Sequence, residues 1–166
     1  VASDDYDGGN PSGWTMSTGC AQEVFHGAYV WWKIADGSET SVTYTIGSAA
    51  NSAWIVSEYD SIATASSLDI SNGQSENVSL DTYTTPSVST TSGRRFGIAC
   101  MGASHGTTTI TGTTTWLSSY TEVAESIVST GARLIVGQAT LAFDGGGSTS
   151  SGCTFETATP QSRSGI

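Results

Sequence analysis

With 166 residues the chain is long enough for one domain with its own core. Charged residues make up 12 % of it, about half the share usual in a globular domain, so hydroxyls must cover much of the surface. The formal net charge is −10, and the cations are Lys33, Arg94, Arg95, Arg133 and Arg163; such a field repels phosphate and excludes nucleic acid and anionic membranes as natural partners.

The chain opens on Val1-Ala2-Ser3, which reads as the tail of a strand, so a piece of a longer polypeptide is expected. Residues 4–13, rich in Asp and Gly, form a loop. Trp14 anchors a short strand over 14–17, and a strand over 23–25 runs into another over 29–34. Asp36-Gly37-Ser38 is a turn. In 41–46, Val42, Tyr44 and Ile46 alternate with Ser41, Thr43 and Thr45, the period of a half-buried antiparallel strand. The 53–57 segment is apolar on both faces and is expected in the middle of a sheet. Residues 29–60 hold three of the five tryptophans and are expected to seed the core.

Residues 61–76 are serine-rich and irregular, and 78–82 alternates as an edge strand. A Ser/Thr run leads to a central strand over 95–101, in which Phe96, Ile98 and Cys100 share a face and Cys100 is expected to be buried. Residues 107–116 form a threonine-rich exposed strand. The 122–129 stretch is the one place with helical spacing, Val123 and Ile127 being four apart. Residues 133–143 form a long strand apolar on both faces, 144–147 a turn, and Cys153 and Phe155 alternate with Thr154 and Glu156.

A repeat emerges at an offset of about 100 residues. Val1-Ala2-Ser3 matches Ile98-Ala99-Cys100, the 29–34 strand matches 134–143, 41–46 matches 152–157, and 53–57 matches the residues from Ser164 onward. The fold expected is all-β: one domain over 1–166, a two-sheet antiparallel sandwich of jelly-roll or Greek-key type built from two similar halves, about 1–62 and about 86–166. Val1 and Ile166 are then expected next to each other or in neighbouring strands, with their ends reaching out of the domain.

The order Gly-Trp-Thr, Trp-Trp-Lys-Ile-Ala-Asp-Gly-Ser-Glu, Tyr-Thr-Ile, Ile-Val-Ser-Glu-Tyr and Thr-Pro-Ser-Val-Ser-Thr-Thr resembles a β-sandwich module of tailed-phage virion proteins that also occurs in bacterial surface proteins. Its third motif there reads Ile-Val-x-Tyr-x-Gly-Val, from which Tyr59-Asp60-Ser61-Ile62 departs. The resemblance covers most of the chain and fades in the C-terminal third. It implies a structural role in a virion, as a decoration protein or a tail or fibre module, with copies of itself and other virion proteins as partners and an extracellular location.

Several constellations bear on chemistry. Asp4, Asp5, Asp7 and Asn10 are candidate Ca²⁺ ligands, since calcium wants several hard oxygens; the competing reading is a solvated loop whose side chains cap turns. Adjacent strand residues face opposite ways, so Trp31 and Tyr29 are candidate interface aromatics. Arg94 and Arg95 are candidate contacts for acidic neighbours in an assembly. Cys20 and Cys153 are a candidate disulfide. His26 and His105 read as loop or surface residues, and no zinc spacing occurs. Asn77-Val78-Ser79 is a glycosylation sequon only in a eukaryotic secretory context. The expected function is therefore non-enzymatic and without a cofactor beyond candidate calcium; the alternative is a secreted or surface carbohydrate-binding module with a host-surface glycan as partner.

Overall fold

A computed structural model describes residues 2–3, 10–17, 27–45, 51–63, 65, 68–76, 81–105, 111–129, 133–156 and 162–165. Among them fifteen strands occur and no helix. In chain order they are β1 (Ala2–Ser3), β2 (Thr15–Met16), β3 (Gly27–Ala28), β4 (Trp31–Trp32), β5 (Ser52–Ala53), β6 (Gln74–Glu76), β7 (Thr82–Thr84), β8 (Val88–Ser89), β9 (Gly93–His105), β10 (Gly112–Trp116), β11 (Thr121–Val128), β12 (Arg133–Gly145), β13 (Ser148–Thr149), β14 (Gly152–Glu156) and β15 (Ser162–Gly165).

Every pairing is antiparallel. The largest sheet has the order β11-β12-β9-β15-β6; beside it lie β3-β1-β5, β10-β14-β7 and the pairs β13-β8 and β2-β4. The all-β, antiparallel expectation therefore holds, with the ladders divided among five sheets.

The spine is the pairing of β9 with β12, which runs unbroken from Arg133↔His105 to Gly145↔Gly93. Each of these strands has thirteen residues, about twice the usual length. Neither contains proline, which would break the ladder. Odd-numbered residues of both strands share one face, because cross-strand partners point the same way. On that face Met101, Ala103 and Ile135 pack against Tyr83 of β7 and Cys153 and Phe155 of β14, with Trp116 of β10 alongside. On the even face Leu134 and Val136 pack against Ala53 and Ile55, with Val128 of β11 beside them. The sheet is thus covered on both sides over 134–139, which explains why β12 carries apolar residues without alternation there.

The 53–59 segment lies across the even face. Ala53 and Ile55 point into the core, Ser57 donates a 2.6 Å hydrogen bond to Gln138, and the Tyr59 ring meets Phe96 edge-on at 5.0 Å. Even-numbered residues point outward, and Val56 is 64 % exposed. This corrects the two-sided reading of 53–57: β5 is a two-residue edge strand, and one face of the segment meets solvent. Residues 41–45 keep the expected alternation, with Val42 and Tyr44 half-buried, but join no ladder.

The 122–129 stretch is strand β11, not helix; its pairing with β12 shifts register between Glu122 and Ala124, so the four-residue spacing of Val123 and Ile127 spans a bulge. In β9 the buried face is the opposite of the expected one. Ala99, Met101 and Ala103 are buried, while Phe96 and Ile98 are 39 % and 42 % exposed and Cys100 is half-buried. The reason lies in the small residues of the odd face, which let another layer approach. A Cβ on Gly97 would stand 2.5 Å from the Tyr120 hydroxyl oxygen. β1 and β15 belong to different sheets; Val1 and Ile166, expected next to each other or in neighbouring strands, lie outside the described residues.

Leu134→Ala and Ile135→Ala are each expected to lower the unfolding free energy by about 2–5 kcal/mol in urea titrations, because each leaves a cavity on its own side of the sheet. A strand covered on one face alone would leave one of the two substitutions nearly neutral.

Candidate functional site

Trp31 is half-buried and lies in a run of aromatic rings. Its ring centroid is 5.7 Å from that of Tyr29 and 5.1 Å from that of Tyr44, which in turn is 4.6 Å from Trp54. The interplanar angles are 24°, 40° and 58° along the run. Tyr29 is buried at 6 % exposure. The indole N–H of Trp31 donates to Asn10 at 3.0 Å, and that of Trp54 to Ser52 at 2.8 Å. These rings hold together the 29–32, 41–45 and 51–59 segments, which share few backbone hydrogen bonds; such contacts are each worth about 0.5–1.5 kcal/mol beyond burial. Both aromatic candidates are thereby engaged within the chain. Of the candidate calcium ligands, Asn10 accepts the Trp31 N–H, while Asp4, Asp5 and Asp7 lie outside the described residues.

The Asp36-Gly37-Ser38 turn forms as expected, with Gly37 at φ 84°. The Asp36 carboxylate accepts from the Ser38 amide at 2.9 Å, and Glu39 accepts from the Asp36 and Gly37 amides and meets Lys33 at 2.5 Å. The hydrogen bond to Glu39 raises the Lys33 pKa, and the one from Lys33 lowers that of Glu39.

Arg94 and Arg95 part company at the end of the β9–β12 ladder. Arg95 points to the odd face, where its Nε donates to Asp69 at 2.9 Å. Asp69 also accepts from the Thr91 amide at 3.1 Å, and Arg95 donates to the Ser92 carbonyl at 2.9 Å and to the Thr91 hydroxyl. The Thr91 amide, followed by Arg95, holds the Asp69 carboxyl below its ordinary pKa. Arg95 therefore fastens the 68–73 and 88–92 segments to the sheet of its own chain, rather than waiting for an external acid.

Arg94 points to the even face and is exposed. It stands opposite Asp144 in the ladder, followed by Phe96 opposite Ala142 and Ile98 opposite Thr140. Arg94, Phe96, Ile98, Ala142 and Asp144 are all exposed, making an open apolar strip with a charged end. A shallow depression of about 200 Å³ lies at that end, lined by Arg94, Arg95, Ala142, Phe143 and Asp144, smaller than the cavities that usually hold small ligands. Sequence reasoning placed Phe96 and Ile98 inward. The available signal was the run of Gly97, Ala99 and Ala103, which marks the closely packed face.

Burial pushes the Cys100 thiol above its ordinary pKa, which keeps it protonated and unreactive near neutrality. Cys153 is fully buried beside Tyr83 and Phe155; its expected partner Cys20 lies outside the described residues, as do His26 and Asn77. His105 is half-buried at the end of β9, opposite Arg133, rather than in a loop. No group of three metal-ligating side chains comes together among the described residues. No family model, curated protein or solved structure matches the chain.

Asp69 is stabilised as a carboxylate in the folded state, so its contribution is present above the unfolded pKa of about 4 and is lost as pH falls through the lower folded value. Asp69→Asn is expected to lower the melting temperature at pH 7 relative to the parent, with the gap closing as the pH is taken down through the lowered folded-state pKa. A gap of the same size at both ends of a calorimetric pH series would contradict this role.

Proposed function

We propose that this chain is a non-enzymatic structural module of a phage particle, a capsid decoration protein or a tail or fibre module, acting through protein–protein contacts with copies of itself and other virion proteins. The observation that carries the reading is the open strip of Phe96, Ile98 and Ala142 on the central sheet. A contiguous apolar surface on an otherwise hydroxyl-rich protein suits association better than turnover of a small substrate. The motif order described in the sequence adds to it.

We further read the chain as a sandwich of two similar halves. In β3-β1-β5 and in β12-β9-β15 the earliest strand is central and is flanked antiparallel by the two later ones. The repeat sets β1 against β9 and β5 against β15; its match for β12 is the 29–34 segment, which follows β3 and holds β4. The pattern supports a duplicated, Greek-key-like arrangement.

The aromatic run is the observation behind the carbohydrate-binding alternative. Tilts of 40° and 58° between successive rings deny it the common plane on which a sugar ring stacks, so it ranks second.

Mass spectrometry of purified phage particles is expected to detect this chain in stoichiometric amounts. Its absence from particles, together with its presence in a bacterial secretome and glycan-array binding that Trp31→Ala abolishes, would overturn the structural reading in favour of the second.

A further inference from the structure

We propose that Asn72 is a self-modification site: the Gly73 amide nitrogen displaces ammonia from the Asn72 side chain, and the isoaspartate left after hydrolysis loosens β6 from the edge of the central sheet. The chemistry needs water and no other partner, and it stands apart from the reading of the chain as an assembly module.

Sequence supplies the first argument. The asparagines are at 10, 51, 72 and 77, followed by Pro11, Ser52, Gly73 and Val78. Attack on an asparagine side chain comes from the backbone nitrogen of the next residue. Proline has no N–H to give up, and valine crowds that nitrogen with a branched side chain. Serine adds a Cβ, and Ser52 is held in the β1–β5 ladder. Glycine puts no side chain in the way.

Geometry supplies the second. Asn72 is exposed, so hydroxide and water reach it. Its side-chain amide is folded back onto the following peptide link, where Oδ1 accepts from the Gly73 N–H at 2.9 Å. The nitrogen that attacks and the group it attacks are therefore already in contact, the proximity on which an intramolecular step depends. Loss of the Gly73 N–H proton to hydroxide leaves the nucleophile, and rotation of the side chain brings Cγ onto it. The new N–Cγ bond closes a five-membered succinimide. The Cγ–Nδ2 bond breaks, and Nδ2 takes a proton from water and leaves as ammonia. Water then opens the ring at either carbonyl. Breaking the N–Cγ bond gives aspartate; breaking the original peptide bond gives isoaspartate, whose main chain runs through Cγ. Nothing is oxidised or reduced.

The consequence follows from where the site lies. β6 begins at Gln74, has three residues, and is the outermost strand of the central sheet. It is held by β15 through Gln74↔Gly165, Ser75↔Ser164 and Glu76↔Arg163, and the Tyr83 hydroxyl donates to the Gln74 carbonyl. Upstream, Asp69 is fastened to Arg95 and to the Thr91 amide. The 69–74 link is thus fixed at both ends. Isoaspartate adds one carbon to the main chain of that link and one carboxylate to a chain of net charge −10. The extra length displaces the start of β6, and a three-residue edge strand has little pairing with which to resist.

Incubation of the full chain in mildly alkaline buffer tests the proposal, with peptide mapping by electron-transfer fragmentation to tell isoaspartate from aspartate. Asn72 is expected to convert progressively, to more isoaspartate than aspartate and at a rate proportional to hydroxide, while Asn51 and Asn77 stay intact. Gly73 is not among the described glycines with positive φ, so Gly73→Ala suits the backbone; it is expected to slow conversion at least about tenfold. In the converted protein the amides of 74–76 and 162–165 are expected to exchange at least about tenfold faster, with those of 134–139 unchanged. Asn72→Asp adds the charge without the extra carbon and is expected to keep parental exchange over 74–76. The proposal is overturned by an Asn72 that stays intact in the folded chain while a synthetic peptide of residues 70–75 converts, or by conversion indifferent to Gly73→Ala. Parental exchange over 74–76 in the converted protein, or loosening as large in Asn72→Asp, overturns it equally.

Discussion

The long β9–β12 ladder places a demand on everything around it. Leu134, Ile135 and Val136 are consecutive and all fully or nearly fully buried. Consecutive strand residues point to opposite faces, so such a triplet can be dry only if both faces of its sheet are covered. Each of these side chains contributes about 1.5–3 kcal/mol when removed from water. The cover comes from the β10-β14-β7 sheet on one side and from the 52–59 segment on the other. The cover on the even face is the small β3-β1-β5 sheet, continued from β5 by the extended 54–59 segment, and it runs out beyond Tyr59. That is why the same strand pair is core at one end and exposed at the other.

The layers are stitched by side chains more than by backbone. The Tyr83 hydroxyl donates to the Gln74 carbonyl and so ties β7 to β6; Ser57 reaches Gln138 across the even face; Trp116 donates to Glu122 at 2.9 Å, linking β10 to the edge strand β11. At that edge β11 carries a bulge, Glu122 and Glu125, features that discourage strand-to-strand aggregation. A chain with few charges relies on hydroxyl and ring contacts of this kind, and the tilted aromatic run from Tyr29 to Trp54 is the longest example. It binds segments whose backbones do not pair.

The features legible in the sequence were those with strong periodicity or an unambiguous turn. The inward Cys153 and Phe155, the alternation of Val42 and Tyr44, and the Asp36-Gly37-Ser38 turn all appear where the pattern put them, and of the two-sided strand over 133–143 the part over 134–139 is buried on both faces. What the sequence concealed was parity and partnership. In β9 both faces are apolar, so alternation could not say which one is inside; packing distance decided it, through Gly97 and Tyr120. Likewise Arg95 resembled Arg94 in the sequence, yet one is fastened to Asp69 and the other is exposed, because adjacent strand residues face opposite layers. The 53–57 segment looked central because it is apolar, whereas it is a cover strip whose Val56 faces water.

Amide hydrogen exchange across the whole chain tests the central claim most directly. If the β9–β12 pairing covered on both faces is the spine, the amides of 134–139 and 99–103 exchange last, at a rate set by global unfolding. Those of 41–45 and of the edge strand β11 exchange earlier, through local opening. Exchange over 134–139 as fast as over 41–45 would contradict the account, because it would mean that the long ladder is not the element on which the other layers rest.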